Sequence, residues 1–555
     1  LAGQQSHAQY DGQDNVTSYV QPGRENTAAN QFWFYYGGDA DQARHLVLRS
    51  RTPMYMTDYY SYDSYGNRTS TRRVDFNVFA NNTAENAYPY IRSEQTYTAD
   101  GNYAQTAKDA RGNTVTRDVN ARAGLLNSVT DPAGQTVTYA YDDSNRVTGV
   151  QTVANGKTYK NAYTYENDRI RTVSHNTTSD TATDVTYTFD YDGLGRKTTV
   201  KVGEQTLSTN VYRDDRSGLL EEVQYGNGGK VSYAHDDFDR LTGVAYDGAD
   251  PGSAPRYTYE YGANGQAAVV RDNHLHRSMQ TEYDLAERPM QSTLRDEEGN
   301  VLYRATLTYD AQNRLETFRE RVGEEHHKTA FTYDKDSRVT QMDYDTDKGK
   351  VEYAYDSLGR VASRKVTSGG SLGTFVKGAA EYGANATTPL VASIRQGEGA
   401  NAMNFAYEYD SRGNITAETR NGKVTAYTYD ALGQLIRVND PNDPTAGEGG
   451  TTWLYNYDRG GNILSKSYHS YTTGTPGVAH DTILYSYTDS NWKDKLTAYD
   501  GQTITYDAIG NPLNDGRRRY EWQAGRQLKK VYVKADLKEG TKPGVDEQSG
   551  TVLKI

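Results

Sequence analysis

The stretch that decides the fold is Tyr353-Ala354-Tyr355-Asp356-Ser357-Leu358-Gly359-Arg360-Val361. The two tyrosines lie on one face of an extended chain, because side chains alternate along a strand. Asp356 can accept hydrogen bonds from backbone N–H groups two residues later, and Gly359 can adopt a positive φ, so the stretch predicts a turn after this strand. A second strand begins at Val361, and Asp356 can pair with Arg360 across the bend. The whole stretch predicts a β-hairpin.

The same pattern recurs along the chain, with neighbouring copies about 19 to 30 residues apart. Degraded copies lie at Tyr165, His235, Tyr261, Tyr283, Tyr382 and Tyr487, and a weak one lies at Tyr212. To the residues of the clear copies we assign a structural role in the repeat: Tyr141, Asp142, Arg146, Tyr191, Asp192, Gly195, Arg196, Tyr309, Asp310, Arg314, Tyr333, Asp334, Arg338, Tyr355, Asp356, Gly359, Arg360, Tyr409, Asp410, Gly413, Tyr429, Asp430, Gly433, Tyr457, Asp458, Gly461, Tyr506, Asp507 and Gly510.

The composition agrees with a thin sheet better than with several globular cores. Of 555 residues 49 are tyrosine, and only 35% are hydrophobic even when tyrosine is included. A tyrosine on a sheet can bury its ring against a cross-strand neighbour while its hydroxyl stays hydrated or hydrogen-bonded. Strand twist makes a sheet of this length curl. We therefore expect an all-β fold, a long antiparallel repeat sheet of hairpins curled into a spiral, with disorder as the weaker alternative.

Charge and cysteine content exclude several classes of protein. The formal net charge of −12 argues against nucleic-acid binding. The absence of cysteine removes disulfides and thiolate metal sites. No apolar run is long enough to form a membrane-spanning helix. The sequence begins at Leu1 without a signal segment, so we expect it to be part of a longer polypeptide.

Sequence patterns typical of catalytic or metal sites have simpler interpretations here. Gly369 to Gly373 spells a nucleophile-elbow pattern but reads as a hairpin loop. Asp343 to Gly349 resembles a calcium loop with its glycine one position late. His274 and His276 would share one strand face and could form a metal pair, whereas His326 and His327 would point to opposite faces. We predict no catalytic residue, no metal site and no cofactor.

These repeats resemble the rearrangement-hotspot (Rhs) and tyrosine-aspartate (YD) repeat family, whose signature is Tyr-Asp-x-x-Gly-Arg-Leu. The resemblance covers about residues 95 to 530. It implies a large hollow β-shell deployed outside the cell or on the bacterial surface. Bacterial members of the family commonly wrap a C-terminal toxin domain, and the related animal teneurins are adhesion receptors.

The sequence departs from the toxin-bearing members in one place. Their shell usually closes with Asp-Pro-x-Gly-Leu, which is absent here. We expect residues 1–94 to form an irregular, aromatic-rich beginning of the shell, 95–530 the repeat shell, and 531–555 a polar tail that continues into a longer polypeptide.

The function predicted from these features is that of a noncatalytic shell segment of a large secreted or surface bacterial protein. The expected partner is a toxin domain of the same polypeptide, with neither nucleic acid nor a membrane span. The alternative is a cell-surface adhesin or structural protein that binds glycans or other cells. A hydrolase built on the shell is a third, weaker hypothesis, which requires one compact acidic cluster.

Overall fold

The computed structural model describes residues 5–75, 89–178, 184–215, 217–345, 348–368, 374–381, 387–534 and 550–553. Within these ranges the chain is nearly all β. The helical elements described are one short α-helix, Asp39–Ala43, and three single 3₁₀ turns at Ala28–Asn30, Gly399–Asn401 and Pro444–Ala446. The nucleophile-elbow pattern at residues 369–373 lies outside the described residues.

The strands follow one another at short intervals along the chain. Up to residue 130 they are β1 His7–Tyr10, β2 Val16–Val20, β3 Gln31–Tyr35, β4 Arg49–Arg51, β5 Met56–Tyr62, β6 Arg68–Asp75, β7 Tyr90–Tyr97, β8 Ala104–Lys108, β9 Thr114–Asn120 and β10 Leu125–Thr130. The next are β11 Thr136–Tyr141, β12 Val147–Ala154, β13 Lys157–Glu166, β14 Arg169–His175, β15 Val185–Tyr191, β16 Lys197–Val202, β17 Gln205–Tyr212, β18 Leu220–Tyr225, β19 Lys230–His235, β20 Leu241–Tyr246, β21 Tyr257–Tyr261 and β22 Ala267–Asp272.

The second half of the chain continues in the same way. Its strands are β23 Arg277–Tyr283, β24 Pro289–Arg295, β25 Val301–Tyr309, β26 Leu315–Val322, β27 Glu325–Tyr333, β28 Val339–Tyr344, β29 Gly349–Tyr355, β30 Val361–Ser368, β31 Thr374–Glu381, β32 Ser393–Gln396, β33 Met403–Tyr409, β34 Ile415–Arg420, β35 Lys423–Tyr429, β36 Leu435–Asp440, β37 Thr451–Tyr457, β38 Ile463–Ser470, β39 Asp481–Ser486, β40 Ala498–Tyr499, β41 Gln502–Thr503, β42 Thr505–Tyr506, β43 Pro512–Asn514, β44 Arg518–Gln523, β45 Gln527–Lys534 and β46 Gly550–Leu553.

The chain forms two compact units, each built from two separate segments. The first unit comprises residues 1–136 and 280–426, and the second comprises residues 137–279 and 427–555. In the first unit, β4 to β9 pair in sequence and so do β24 to β30. In the second, β11 to β22 do the same. Every one of these pairings is antiparallel, which confirms the predicted long antiparallel sheet of hairpins.

The hairpins share an irregularity at the tyrosine of the repeat. In the pairing of β11 with β12, Ala140 faces Gly149 but Tyr141 faces Val147, so one residue of β12 bulges out of the register. The same shift occurs before Tyr191, Tyr309, Tyr333, Tyr355, Tyr409, Tyr457 and Tyr506. A bulge bends its strand and increases the local twist. It also places the tyrosine directly beside the turn that follows.

The apolar interior is thin, as the composition predicts. In the second unit, Val185, Val202, Leu207 and Ile509 form one fully buried cluster, against which the ring of Trp492 packs. Among the described residues no tyrosine is fully buried. The tyrosines are therefore placed to cover the strands with their rings while their hydroxyls reach polar partners. No helix in the described ranges has the length and apolarity to cross a membrane.

Candidate functional site

Each repeat turn is organised by its aspartate. In the turn that begins at Asp310, Oδ1 accepts hydrogen bonds from the backbone N–H of Gln312 and of Arg314, both at 2.9 Å. The N–H of Asp310 donates to the carbonyl of Arg314, and the N–H of Asn313 donates to the carbonyl of Asp310. The predicted hydrogen bond from the backbone N–H two residues after the aspartate is confirmed. A second hydrogen bond, from the N–H four residues after the aspartate, closes the turn.

The arginine four residues after the aspartate pairs with it. Its Nε donates to Oδ2 at 2.6–2.8 Å in every turn of this kind, which joins the following pairs: Asp142–Arg146, Asp192–Arg196, Asp236–Arg240, Asp284–Arg288, Asp310–Arg314, Asp334–Arg338 and Asp356–Arg360. These charge-assisted bonds fix the guanidinium plane relative to the turn.

The fixed guanidinium then contacts the tyrosine of the next repeat. Arg314 lies over the ring of Tyr333, with its Cζ 4.3 Å from the ring centroid. The same arrangement, at 4.2–4.6 Å, joins Arg146 to Tyr165, Arg196 to Tyr212, Arg240 to Tyr261, Arg288 to Tyr309 and Arg338 to Tyr355. A cation over an aromatic face is attracted by the negative potential of the ring. The charged turn of one repeat thus holds the ring of the following one.

The tyrosine hydroxyl completes the contact. The hydroxyl of Tyr333 donates a hydrogen bond of 2.7 Å to the backbone carbonyl of Leu315, the residue directly after Arg314. Corresponding bonds of 2.7–2.9 Å run from Tyr165, Tyr212, Tyr261, Tyr309 and Tyr355 to the residue after the respective arginine. We call this set the inter-repeat clamp: the Asp and Arg of one turn, the next repeat's Tyr, and the carbonyl after the Arg.

In several clamps the environment shifts the pKa of the aspartate or of the tyrosine. Hydrogen bonds from the backbone and side chain of Arg146 lower the pKa of Asp142. Burial alone would raise the pKa of Asp310, but hydrogen bonds from the side chain and backbone of Arg314 outweigh it and lower that pKa. Burial raises the pKa of the Tyr333 and Tyr355 phenols. At neutral pH the carboxylates of Asp142 and Asp310 are therefore charged and the phenols of Tyr333 and Tyr355 are protonated, as their hydrogen bonds require.

The later repeats have Asn or Gln in place of the arginine. Asn414, Gln434, Asn462 and Asn511 donate a side-chain amide hydrogen to the turn aspartate at 2.7–3.0 Å. Tyr409 and Tyr457 of these repeats still donate their hydroxyls to backbone carbonyls, those of Val391 and Leu435. The turn of Asp430 and Gln434 therefore retains the hydrogen bonds of the clamp without its cation.

The glycines of the repeat occupy left-handed backbone positions. Gly195 and Gly359 have φ values of 79° and 85°, and Gly413, Gly433, Gly461 and Gly510 have φ values of 81–92°. Other repeats place a residue with a side chain in this conformation, for example Glu287 and Ser337 at 61° and 65°. The sequence does not mark these two positions, because neither residue type favours a positive φ.

The turns also meet other segments of the same unit, which the sequence does not predict. In the first unit the Oδ1 and Oδ2 of Asp336 accept from Met54 N and Thr52 Oγ1, and Arg412 pairs with Asp131 at 2.6 Å. In the second, the side-chain amide of Asn227 donates to Asp507 at 2.7 Å. Sequence separations near 280 residues leave no local pattern to detect. Each unit is held together by contacts between turns as well as by strand pairing.

The remaining predicted motifs take ordinary structural positions. His274 and His276 lie in the turn between β22 and β23, so the prediction that they share a strand face is wrong. His326 and His327 are neighbours in β27 and alternate between its faces, as expected. In the described part of the chain no group of three or more His, Asp or Glu side chains is arranged to hold a metal ion.

Comparison with known proteins agrees with this geometry. The RHS Repeat model matches residues 122–158 and 409–445, and the Teneurin YD-shell model matches residues 229–376. No curated protein matches the sequence significantly.

The fold resembles crystal structures that contain TcdB2-TccC3. The structure of TcdB2-TccC3-Cdc42 is 14% identical with a TM-score of 0.57, and the match covers 96% of this chain and 30% of that chain. The structure of TcdB2-TccC3 without its hypervariable C-terminal region is 14% identical with a TM-score of 0.58, at the same coverage. This chain therefore spans about 30% of the length of the chains it resembles. The two family models confirm the resemblance to the Rhs/YD-repeat family in the segments that they match.

Proposed function

We propose that this chain, which carries RHS and teneurin-type YD-shell repeats, is a wall segment of a secreted or surface-displayed bacterial shell that encloses a toxin domain of the same polypeptide. The observation that carries the proposal is the inter-repeat clamp. Each clamp joins one hairpin to the next through contacts that the repeat itself supplies. A wall of any length can therefore be extended by adding repeats.

The role of such a wall is steric. The backbone groups of successive strands are consumed by pairing with their neighbours, and the clamp satisfies the charged groups of each turn. A continuous hydrogen-bonded sheet excludes proteases and solvent-borne partners from whatever lies behind it. We propose residues 95–530 as the repeat wall and residues 1–94 as its beginning, in which β1 to β6 already pair as a meander.

The distribution of acidic residues supports a noncatalytic role. A glycosidase brings two carboxylates together at one place. Here the turn aspartates recur at every repeat, and each is engaged by its own arginine or amide, as Asp334 is by Arg338 and Asp458 by Asn462. We propose that the shell itself performs no reaction.

The enclosed cargo is proposed by analogy with the structural relatives. One of them is described as TcdB2-TccC3 without its hypervariable C-terminal region, so a variable region is a separable part of that protein. We propose that a domain of comparable position follows this chain in its polypeptide.

The experiment is to sequence the reading frame on both sides of this segment and to test the downstream product. We expect Asp-Pro-x-Gly-Leu followed by a domain unrelated to the repeats, and we expect that domain to resist protease in the intact polypeptide but not when expressed alone. A frame that ends in repeats or in a wall anchor would overturn the proposal.

The second candidate is an adhesin-like surface protein, which the match of residues 229–376 to the Teneurin YD-shell model favours. This candidate predicts binding modules upstream and no cargo downstream. The same sequencing experiment therefore separates the two.

A further inference from the structure

On one face of three neighbouring strands in the first unit, basic side chains lie directly opposite one another. Arg304 of β25 faces Arg321 of β26, and Arg321 in turn faces His326 of β27. One step along the strands, Arg319 of β26 faces Lys328 of β27. Like charges in directly opposed positions of a sheet destabilise it. This arrangement is costly unless something neutralises it.

Arginines elsewhere in the sheet show the usual solution. Arg271 donates to Glu260 on the neighbouring strand at 2.9 Å, and Arg73 donates to Asp58 at 2.8 Å. Among the described cations of this face, by contrast, Arg321 alone has a carboxylate partner, the exposed Glu324 at 3.0 Å. Within the described ranges the Arg304 and Arg319 side chains and Lys328 Nζ have no hydrogen-bond or ion-pair partner. Arg304 Nε is moreover buried without an acceptor.

These side chains line a cavity of about 500 Å³. Its wall contains four permanent cations, Arg304, Arg319, Arg321 and Lys328, and two carboxylates, Glu320 and Asp345. Asp345 is already engaged by His327 at 2.9 Å and by the backbone N–H of Lys328. The cavity therefore carries an excess of positive charge in a protein whose net charge is −12.

We propose that this cavity is a binding site for a ligand with two or more phosphate or sulfate groups. Guanidinium groups donate two parallel hydrogen bonds to such oxyanions, and a buried N–H that lacks an acceptor gains one when the anion binds. Strands are about 4.8 Å apart and same-face residues about 6.8 Å apart, so the cations span roughly 10 by 7 Å. This area is larger than a single phosphate or sulfate ion, and it matches a ligand that carries several such groups.

The test measures binding to the full chain by isothermal titration calorimetry at about 50 mM salt, where surface charges are weakly screened. The probes are sodium orthophosphate, sodium tripolyphosphate and dextran sulfate. The variant Arg319→Gln/Lys328→Gln removes two unpaired cations of the cavity. The control Arg271→Gln/Lys230→Gln removes the same charge from two strand cations that are paired with Glu260 and Glu222.

We expect tripolyphosphate or dextran sulfate to bind more tightly than orthophosphate. The dissociation constant should rise about tenfold in the cavity variant and stay within about threefold of the wild-type value in the control. Binding of tripolyphosphate alone would assign a free polyphosphate, binding of dextran sulfate alone a polymer-borne sulfate, and binding of both would assign the shared oxyanion chemistry. Absence of binding, or equal loss in both variants, would overturn the site.

The melting temperature of the unliganded variant shows whether weaker binding results from misfolding. Because the variant removes like-charge repulsion, its melting temperature without ligand is expected to equal or exceed that of the wild type. A clear decrease would show that Arg319 and Lys328 stabilise the fold and would also overturn the proposal.

Discussion

The repeats with arginine and the repeats with asparagine use the same turn for different connections. In the arginine repeats, the side chain pairs with its aspartate and covers the tyrosine of the next repeat, as Arg338 does with Tyr355. In two of the asparagine repeats, the amide that bonds the aspartate also reaches the backbone of another segment: Asn67 donates to the Gly101 carbonyl and Asn511 to the Gly525 carbonyl. The aspartate turn is thus the constant part, and the fourth residue after it determines whether a guanidinium covers a ring or a neutral amide donates hydrogen bonds.

Replacing the turn aspartate is expected to give the largest difference in lost unfolding free energy between the two kinds of repeat. Asp334→Ala deletes the acceptor of two backbone N–H groups and leaves Arg338 unpaired beside a carboxylate site that is only 7% exposed. We expect a loss of about 4 kcal/mol in unfolding free energy, because a largely buried charge loses its partner. Asp410→Ala deletes the same two backbone bonds, but the side chain that loses its partner is the neutral Asn414 amide, and we expect a loss of about 2 kcal/mol.

Denaturant unfolding followed by tryptophan fluorescence measures both losses. The two aspartates belong to the same unit, so the comparison is made within one structural background. Equal losses would mean that the backbone bonds of the turn, which the two repeats share, carry the stability and that the guanidinium adds nothing.

The glycine of the turn gives the next largest difference. Gly359, in an arginine repeat, and Gly134, in the turn of Asp131 and Gln135, have φ values of 85° and 86°. An added Cβ at Gly359 would overlap the Met56 sulfur, whereas at Gly134 it would meet nothing within 4 Å. Gly134→Ala therefore isolates the backbone cost, about 1 kcal/mol, and Gly359→Ala adds the displacement of Met56, for about 2 kcal/mol in total.

The measurement is again the free energy of unfolding of each single variant. If the two alanine variants lose equal stability, Met56 moves aside without cost and the difference between the sites is purely conformational.

The asparagine repeats include a contact whose strength depends on the protonation of a histidine, and this is the third point of difference. Asn462 donates to Asp494, whose carboxylate also binds His175 at 3.0 Å. The hydrogen bond from His175 to Asp494 raises the pKa of that imidazole. The folded state therefore binds the proton more tightly than the unfolded state, so the stabilisation is complete below about pH 6.5 and is lost as pH rises through the higher folded pKa.

We expect a loss on the order of 1 kcal/mol as the pH rises from about 6.5 through the raised pKa of folded His175, seen as a decrease in the denaturation midpoint of the second unit. His175→Gln should remove this dependence. The clamp of Asp310 and Arg314 weakens only in acid, because the pKa of this aspartate is lowered. A pH dependence that persists in His175→Gln would assign it to another group.

These comparisons also show where reasoning from the sequence succeeds. The turn was predictable at Gly359, because Asp, Gly and Arg at fixed spacing each have a known role in a turn. The left-handed backbone of Glu287 and Ser337 was not predictable, because the hydrogen bonds of Asp284 and Asp334 impose it on residues that do not favour it. The pairing of aspartate with arginine was predictable from a spacing of four.

The contact between arginine and the next tyrosine could not be predicted in the same way. The interval is 19 residues from Arg314 to Tyr333 but 16 from Arg196 to Tyr212, because the hairpins between them differ in length. Strand register, and not sequence spacing, brings the two side chains together. The unpaired cations of β25 to β27 likewise become visible only once the strands are aligned.

The smallest expected effect tests the clamp itself by a double-mutant cycle. Arg314→Met and Tyr333→Leu are made singly and together. The hydrogen bonds to Asp310 and from the tyrosine hydroxyl are each lost in one single variant and again in the double variant, so they do not contribute to the coupling free energy. We expect a coupling free energy of about 0.5–1 kcal/mol from the guanidinium over the ring. The matched cycle of Gln434→Met and Tyr457→Leu has a neutral amide in place of the cation and is expected to give about 0.2 kcal/mol or less. Equal coupling free energies in the two cycles would mean that the guanidinium over the ring adds no stability and that the hydrogen bonds alone stabilise the clamp. The arginine and asparagine repeats would then differ only in the residues outside the turn that their side chains contact.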